Sequence, residues 1–150
     1  MEQQLIWVDR TGKSLDENQG PDAFDEPRIS PDGKKLSFTL AAGARDIWTE
    51  DVARLVKTRL TFGAASAQSD QSPVWSPDGL WIAYTSVRGG KFSFYRKATD
   101  GSGSEEVLAE PAQGPRYTAD WSPDAKYVAG RQYCRSTFAH QGLTGARPLH

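Results

Sequence analysis

The motif Ser-Pro-Asp, followed by glycine or alanine, occurs three times in this chain at constant spacing. Its serines are Ser30, Ser76 and Ser122, so each copy begins 46 residues after the previous one. An apolar segment follows the motif, for example Trp81-Ile-Ala-Tyr84 after the second copy. Recurrence at a period of about 20 to 50 residues is typical of a repeat architecture, in which each repeat is one supersecondary unit. We therefore expect the chain to be built from successive copies of one small unit.

The chemistry of the motif predicts a tight turn. Its proline presets φ near −65°, which suits the second position of a type I turn. Its aspartate suits the third position, because a short side chain can bond to nearby backbone groups. The glycine that follows supplies the left-handed residue that closes a bulged hairpin. Ala125 takes that place in the third copy, where a positive φ costs on the order of 1 kcal/mol. The predicted turn residues are Ser30, Pro31, Asp32, Gly33, Ser76, Pro77, Asp78, Gly79, Ser122, Pro123 and Asp124.

The segments around each turn predict β-strands. Residues 46–49 and 58–62 are expected to form the third and fourth strands of one repeat, and residues 92–95 and 106–109 those of the next. Four strands in each 46-residue repeat are typical of a propeller blade. The sequence thus predicts an all-β fold, a partial β-propeller of four-stranded antiparallel blades. The predicted units are a half blade over 1–25, full blades over 26–71 and 72–116, a half blade over 117–130, and an irregular tail over 131–150.

The second repeat also carries a longer motif that points to a family. Trp75-Ser-Pro-Asp-Gly79, with Trp81-Ile-Ala-Tyr84 after it, resembles the WD-like repeat of the TolB-type bacterial β-propellers. The spacing of the segments between Asp46 and Trp75 looks similar to the propeller appended to bacterial membrane-anchored serine/threonine kinases. The resemblance covers about residues 5–130. It implies the fold but no single activity, because the same blades occur in TolB, tricorn-like proteases and prolyl-oligopeptidase-type peptidases.

The resemblance implies a ring of six blades, which is more than this chain can supply. We therefore expect a fragment of a larger sensor kinase or TolB-like envelope protein. Self-association through open blade edges is the rival expectation, because unpaired edges and uncovered apolar faces favour association. The resemblance also implies a periplasmic or extracytoplasmic location. The sequence itself leaves the location undetermined, because residues 1–5 show neither the basic nor the apolar region of a secretory signal.

Composition argues against two classes of partner. The formal net charge is −1, so no overall positive field draws the chain to nucleic acid. The sequence has no apolar run long enough to cross a bilayer. We therefore predict no nucleic-acid partner and no membrane insertion by this chain.

The sequence has no catalytic or metal-binding motif that residue spacing supports. The sequence has no Gly-x-Ser-x-Gly elbow, no Walker loop and no kinase signature. The two histidines, His140 and His150, and the single cysteine, Cys134, lie in the predicted tail without a partner at a recognisable spacing. Residues 100–106 lack the glycine and the final glutamate of an EF-hand loop. We predict no catalytic residue, no metal site, no cofactor and no enzymatic activity in this chain itself.

The remaining candidate is a binding surface made of loops. In a propeller, the loops entering each innermost strand and those joining the second strand to the third share one face, and loops on a rigid scaffold often carry recognition. We therefore predict a non-catalytic module for protein or peptide binding or scaffolding. The alternative is a gating propeller fragment of a prolyl-oligopeptidase-type or tricorn-like serine peptidase. The predicted binding rim contains Asp25, Arg45, Asp70, Arg88, Arg116 and Tyr117.

Overall fold

The computed structural model describes residues 3–16, 23–41, 45–63, 68–112 and 114–133, which form twelve β-strands. Valine, isoleucine, threonine and aromatic residues, which favour extended backbone, supply much of the central strand of the second repeat. In chain order the strands are β1 (Trp7–Val8), β2 (Ser14–Asp16), β3 (Phe24–Ile29), β4 (Lys35–Leu40), β5 (Asp46–Asp51), β6 (Val56–Arg59), β7 (Ser69–Trp75), β8 (Trp81–Arg88), β9 (Lys91–Ala98), β10 (Glu106–Ala112), β11 (Arg116–Trp121) and β12 (Val128–Gln132).

The strands form four antiparallel sheets, each made of strands consecutive in the chain. The first and second full sheets have the orders β3-β4-β5-β6 and β7-β8-β9-β10. The N-terminal pair, β1-β2, and the C-terminal pair, β11-β12, are two-stranded. The predicted all-β fold, a partial propeller of four-stranded antiparallel blades, is confirmed.

The observed strand bounds differ from the predicted ones by a few residues. The first two full sheets begin at Phe24 and Ser69, slightly before the predicted blade bounds, and β12 runs to Gln132, into the predicted tail. The fourth strand of the first full sheet, expected over 58–62, ends at Arg59. It ends there because the backbone N–H groups of the next two residues both donate to the carbonyl of Ile47, which breaks the regular ladder.

The three Ser-Pro-Asp turns share one hydrogen-bond pattern. In the first copy, the Ser30 hydroxyl donates to Asp32 Oδ1 at 2.7 Å and accepts from the Lys35 backbone N–H at 2.9 Å. Asp32 Oδ1 also accepts from the Lys34 N–H at 3.0 Å. The second and third copies repeat these bonds within 0.2 Å. The residue after the aspartate has φ of +71°, +72° and +61°, the last at Ala125, so a left-handed residue closes each turn.

A second repeated feature links the innermost strands of neighbouring sheets. Glu26 and Ser72, with φ of +53° and +56°, lie where the pairing register of β3 and β7 shifts. The Ser72 N–H and hydroxyl donate to the Glu26 carboxylate at 2.6 and 2.8 Å. The Thr118 hydroxyl donates in turn to the Ser72 carbonyl. Because these residues are separated by 46 positions, the same position of each repeat joins one sheet to the next.

Apolar side chains fill the spaces between successive sheets. Between the N-terminal pair and the first full sheet, Leu5 and Trp7 pack against a buried cluster that includes Phe24 and Phe38. The next space holds a cluster of Ile47, Leu60, Trp75, Ile82, Tyr84 and Tyr95. The last space holds Val74, Ala83 and Trp121, with Trp81 and Val128 packed against them. Each full sheet is therefore covered on both faces, which accounts for the full burial of Phe38, Ile82 and Tyr84.

Candidate functional site

The predicted rim residues come from strand ends or adjoining segments on one side of the sheets. β3, β7 and β11 begin on this side, and β4 and β8 end there, because neighbouring strands run antiparallel. The three Ser-Pro-Asp turns lie at the opposite ends of the same strands. The rim residues differ, however, in how much of each side chain reaches solvent.

Asp25 and Arg45 form an exposed ion pair that also contacts the second full sheet. Arg45 Nη1 lies 3.7 Å from Asp25 Oδ2, and each side chain is 41% exposed. The same nitrogen donates to Gln71 Oε1 at 2.8 Å, and the Arg45 carbonyl accepts from the Asp70 N–H at 2.8 Å. An exposed pair of this kind contributes little to stability, typically about 0 to 1 kcal/mol. Its clearer role is to place two opposite charges on the surface where the two sheets meet.

Asp70 does not lie on the exposed rim, contrary to the prediction. It is part of β7, and only 1% of the residue is exposed. A Cβ on Gly63 would lie 2.8 Å from Asp70 Oδ2, so the backbone after the first full sheet closes over the carboxylate. Burial raises the pKa of Asp70, and hydrogen bonds from Ser86 and Thr61 offset part of that rise. Asp70 Oδ1 has no hydrogen-bond partner among the described residues.

Arg88 is half-buried, with 30% of its side chain exposed, and its charge is paired. Its guanidinium lies 4.0 Å from the centre of the Tyr95 ring, and Nη2 lies 2.6 Å from Glu105 Oε2 in an ion pair. The Tyr84 hydroxyl donates to the same Glu105 oxygen at 2.6 Å. Burial raises the pKa of Glu105, but Arg88 and Tyr84 outweigh it and the net pKa is lowered. These residues and Asp70 form a polar cluster between the two full sheets.

Arg116 and Tyr117 are half-buried at the start of β11. Arg116 Nε donates to Gln132 Oε1 at 3.0 Å, across the C-terminal pair. The Tyr117 ring makes edge contacts with Phe92 at 6.0 Å and with Tyr133 at 5.9 Å. The two side chains are thus held by neighbours while part of each stays at the surface.

A cleft of about 330 Å³ adjoins the polar cluster. Lys97 lines it together with Asp70 and Glu105, and Lys97 Nζ donates to the Leu60 carbonyl at 3.0 Å. Within the described ranges, no group of three or more histidine, cysteine, aspartate or glutamate residues could hold a metal ion. Glu105 and Glu106, considered above for calcium, are each paired with an arginine instead. His140, His150 and Cys134 lie outside the described residues.

Sequence reasoning missed the partners that organise this region. The sequence predicts Tyr84 only as part of an apolar strand, and it gives Glu105 no role beyond the rejected calcium loop, because their contact depends on how two separate segments meet. The linked residues Glu26, Ser72 and Thr118 did carry a signal, since they recur at the 46-residue period. The period alone does not single out these positions, because the three side chains differ.

Comparison with known proteins places the chain in a family. The model of the TolB β-propeller domain, PD40, matches residues 11–145. The chain belongs to the TolB β-propeller family. An uncharacterized protein of Agrobacterium fabrum (strain C58) is 35% identical to it over 74% of this chain and 36% of that protein. The predicted TolB-type resemblance is confirmed.

Solved structures show the same fold. TolB from Acinetobacter baumannii matches with a TM-score of 0.70 and 26% identity, over 89% of this chain and 33% of that chain. A prolyl endopeptidase structure matches with a TM-score of 0.61 and 20% identity, over 85% of this chain and 22% of that chain. This TolB propeller chain therefore spans about a third or less of the length of these relatives. Among its described residues, no helix is long and apolar enough to span a membrane.

Proposed function

We propose that this TolB-family propeller segment is a non-catalytic module that binds a protein or peptide at its rim. The observation that carries the proposal is the placement of charged and aromatic side chains at one end of packed sheets, where loops and strand ends often mediate recognition. Asp70 is set aside because it is buried, and Arg88 because its guanidinium is already paired with Glu105 and lies over Tyr95. The proposed contact residues are therefore Asp25, Arg45, Arg116 and Tyr117.

The polar cluster has a supporting role in this proposal. Asp70 is buried next to Arg45, and its backbone N–H donates to the Arg45 carbonyl. Rigid support reduces the conformational entropy lost when a partner binds. The binding surface thus gains preorganisation from residues that do not touch the partner.

A peptide selection tests this proposal. A phage-displayed library of random peptides is panned on the immobilised chain, and enriched peptides are titrated by calorimetry. Arg45→Ala and Tyr117→Ala are each expected to weaken binding by about tenfold, because arginine and tyrosine dominate interface energetics. Circular dichroism verifies that both variants remain folded.

Leu80→Ala is the matched control, because Leu80 is 62% exposed in a Ser-Pro-Asp turn at the opposite end of the sheets. It should leave the affinity unchanged. If the enriched peptides bind both rim variants as tightly as they bind the wild type, the rim is not the binding site. If the library yields no binder, the chain does not recognise peptides.

The proposal also covers the longer protein to which this segment belongs. We place this segment in a larger TolB-like envelope protein or sensor kinase, outside the cytoplasm, with no nucleic-acid partner. The likeness to a prolyl endopeptidase, at 20% identity, supports the fold alone. A gating role in a serine peptidase therefore has no observation that favours it over binding.

A further inference from the structure

The polar cluster between the two full sheets stands where the previous repeat has an apolar one. Asp70 and Tyr84 follow Phe24 and Phe38 by 46 residues each. The two phenylalanines are 2% and 0% exposed, and their rings pack edge to face at 5.0 Å. Because a sheet of the same strand order folds around that apolar pair, polar side chains at these positions are not a requirement of the fold. Their polarity therefore points to a role other than folding.

Asp70 is a member of the cluster whose burial is unfavourable. Only 1% of the residue is exposed, and its Oδ1 has no hydrogen-bond partner among the described residues. An unpaired carboxylate is costly to bury, and the raised pKa of Asp70 reflects that cost. Buried polar atoms in folded proteins nearly always have a partner, so a charged donor from a ligand would satisfy this oxygen.

Asp70 lines the cleft of about 330 Å³ together with two other charged residues, Lys97 and Glu105. The charge of Glu105 is already balanced, because Arg88 Nη2 lies 2.6 Å from its carboxylate. Lys97 Nζ donates to the Leu60 carbonyl, and no carboxylate of the described residues forms an ion pair with it. One negative and one positive charge of the lining are thus free to meet a ligand.

We propose that this cleft binds a free amino acid, whose ammonium group lies at the Asp70 carboxylate and whose carboxylate lies at Lys97 Nζ. The proposal goes beyond peptide binding at the rim and does not depend on it. A lysine ammonium has three N–H donors, so Lys97 can hold the Leu60 carbonyl and a ligand carboxylate at once. The cleft volume lies within the range of about 300 to 1,000 Å³ that small-molecule sites usually have.

The segment after the first full sheet shapes one wall of the cleft. A Cβ on Gly63 would lie 2.8 Å from Asp70 Oδ2 and 3.0 Å from the Cβ of Gln68, so a side chain at residue 63 would crowd the carboxylate. The Gln68 N–H donates to the Gly63 carbonyl at 3.0 Å, which holds the two residues together. Both line the cleft. The absence of a side chain at residue 63 therefore keeps space beside Asp70.

Phe62 supplies an apolar surface in the same cleft. It is 59% exposed, and Lys97 Nζ lies 5.6 Å from the centre of its ring. The ring is therefore close to the cation that would hold the ligand carboxylate. We expect the side chain of the amino acid to pack on this ring, which favours leucine or phenylalanine over a charged amino acid.

A metal ion fits this lining less well than an amino acid does. Within the described ranges, no group of three or more histidine, cysteine, aspartate or glutamate residues could hold one. Lys97 also places a positive charge on the lining, which would repel a cation that carries no carboxylate of its own. A ligand with both charges matches the lining in sign.

Isothermal titration calorimetry of the full chain with L-leucine and L-phenylalanine tests this proposal. We expect at least one of them to bind. Its N-acetyl derivative, which lacks the ammonium group, and its amide, which lacks the carboxylate, should each bind at least about tenfold more weakly, because each loses one charged interaction. If neither amino acid binds, if the derivatives bind equally well, or if calcium chloride alone gives a binding signal, the proposal is wrong.

Two variants locate the site. Asp70→Asn and Lys97→Gln should each weaken binding of the amino acid at least about tenfold, because each removes one of the two free charges. Lys91→Gln is the matched control, since Lys91 is an exposed lysine of the same strand, β9, and does not line the cleft. It should leave the affinity unchanged.

Circular dichroism verifies that the variants are folded, and Lys97→Gln alone decides the outcome if Asp70→Asn does not fold. Unchanged affinity in a folded Lys97→Gln variant would overturn the proposal. Because no peptide is used and no proposed contact residue of the rim is changed, failure here is distinguishable from failure of the binding proposal at the rim.

Discussion

The second and third copies of the repeat fold into the same turn but differ in what covers the strand that follows. The hydroxyls of Ser76 and Ser122 make equivalent hydrogen bonds. Ile82 after the second turn is nevertheless fully buried, whereas Val128 at the same position after the third is only partly buried. The second full sheet has packed neighbours on both faces, and the C-terminal pair has a described neighbour on one. Local bonds determine the turn, and neighbouring sheets determine burial.

The largest expected effect is a difference in the free energy of unfolding between two tyrosine variants, one in each of these copies. Tyr84→Ala should lower the free energy of unfolding by about 3 to 5 kcal/mol, because it leaves a large cavity between two packed sheets. Tyr127→Ala should change it by at most about 0.5 kcal/mol, because an exposed side chain loses few contacts. Urea denaturation measures both. Equal losses would show that the C-terminal pair is as well packed as the second full sheet.

The next effect concerns the junction between these two regions. A Cβ on Gly130 would overlap the ring of Phe94, so β12 approaches the second full sheet only because residue 130 is glycine. Gly130→Val should therefore destabilise the protein by about 1 to 3 kcal/mol. Ala129→Val, in the same strand at an exposed position, is the control and should cost less than about 0.5 kcal/mol. Thermal unfolding of the two variants decides whether this contact exists.

A smaller effect comes from the one residue in which the turns differ. Ala125 has a φ of +61°, a conformation that favours glycine. Ala125→Gly should raise the free energy of unfolding by about 0.5 to 1 kcal/mol, and Gly79→Ala should lower it by a similar amount. If Ala125→Gly destabilised the chain in urea, the third turn would not have the geometry of the second.

The smallest effect is a pH dependence that all three turns share. Hydrogen bonds from the motif serines lower the pKa values of Asp32, Asp78 and Asp124 below 3.8. A lowered pKa in the folded state means that the stabilisation is fully present above about pH 3.8 and is lost as the pH falls through the folded pKa values. Melting temperatures recorded from pH 6 to pH 2 should fall at the acid end, and Asp→Asn at all three positions should flatten that fall. An unchanged profile in the triple variant would contradict these carboxylate bonds.

The turns and the strand order were predictable from sequence because their interactions are local. A motif serine and its aspartate are two residues apart, so their hydrogen bond depends on the turn alone. The segments around each motif likewise predicted β-strands, which the structure contains. The four-strand unit followed from the 46-residue period.

The rim was only partly predictable because burial at a strand end depends on the neighbouring sheet. Asp70 and Asp25 both lie near the start of an innermost strand, and both looked like exposed charges. Gly63 covers the carboxylate of Asp70 but not that of Asp25. That contact depends on how the end of the first full sheet packs against β7, which no local sequence pattern specifies. The ion pair between Arg88 and Glu105 is unpredictable for the same reason.

Hydrogen exchange tests most directly the claim that neighbouring strands and sheets, rather than the turn, determine how well a strand is protected. The amides of β8, between two strands of a covered sheet, should be strongly protected. The amides of β12, which follows an equivalent turn but lies in a two-stranded sheet, should exchange faster. Protection of β12 equal to that of β8 would contradict the account.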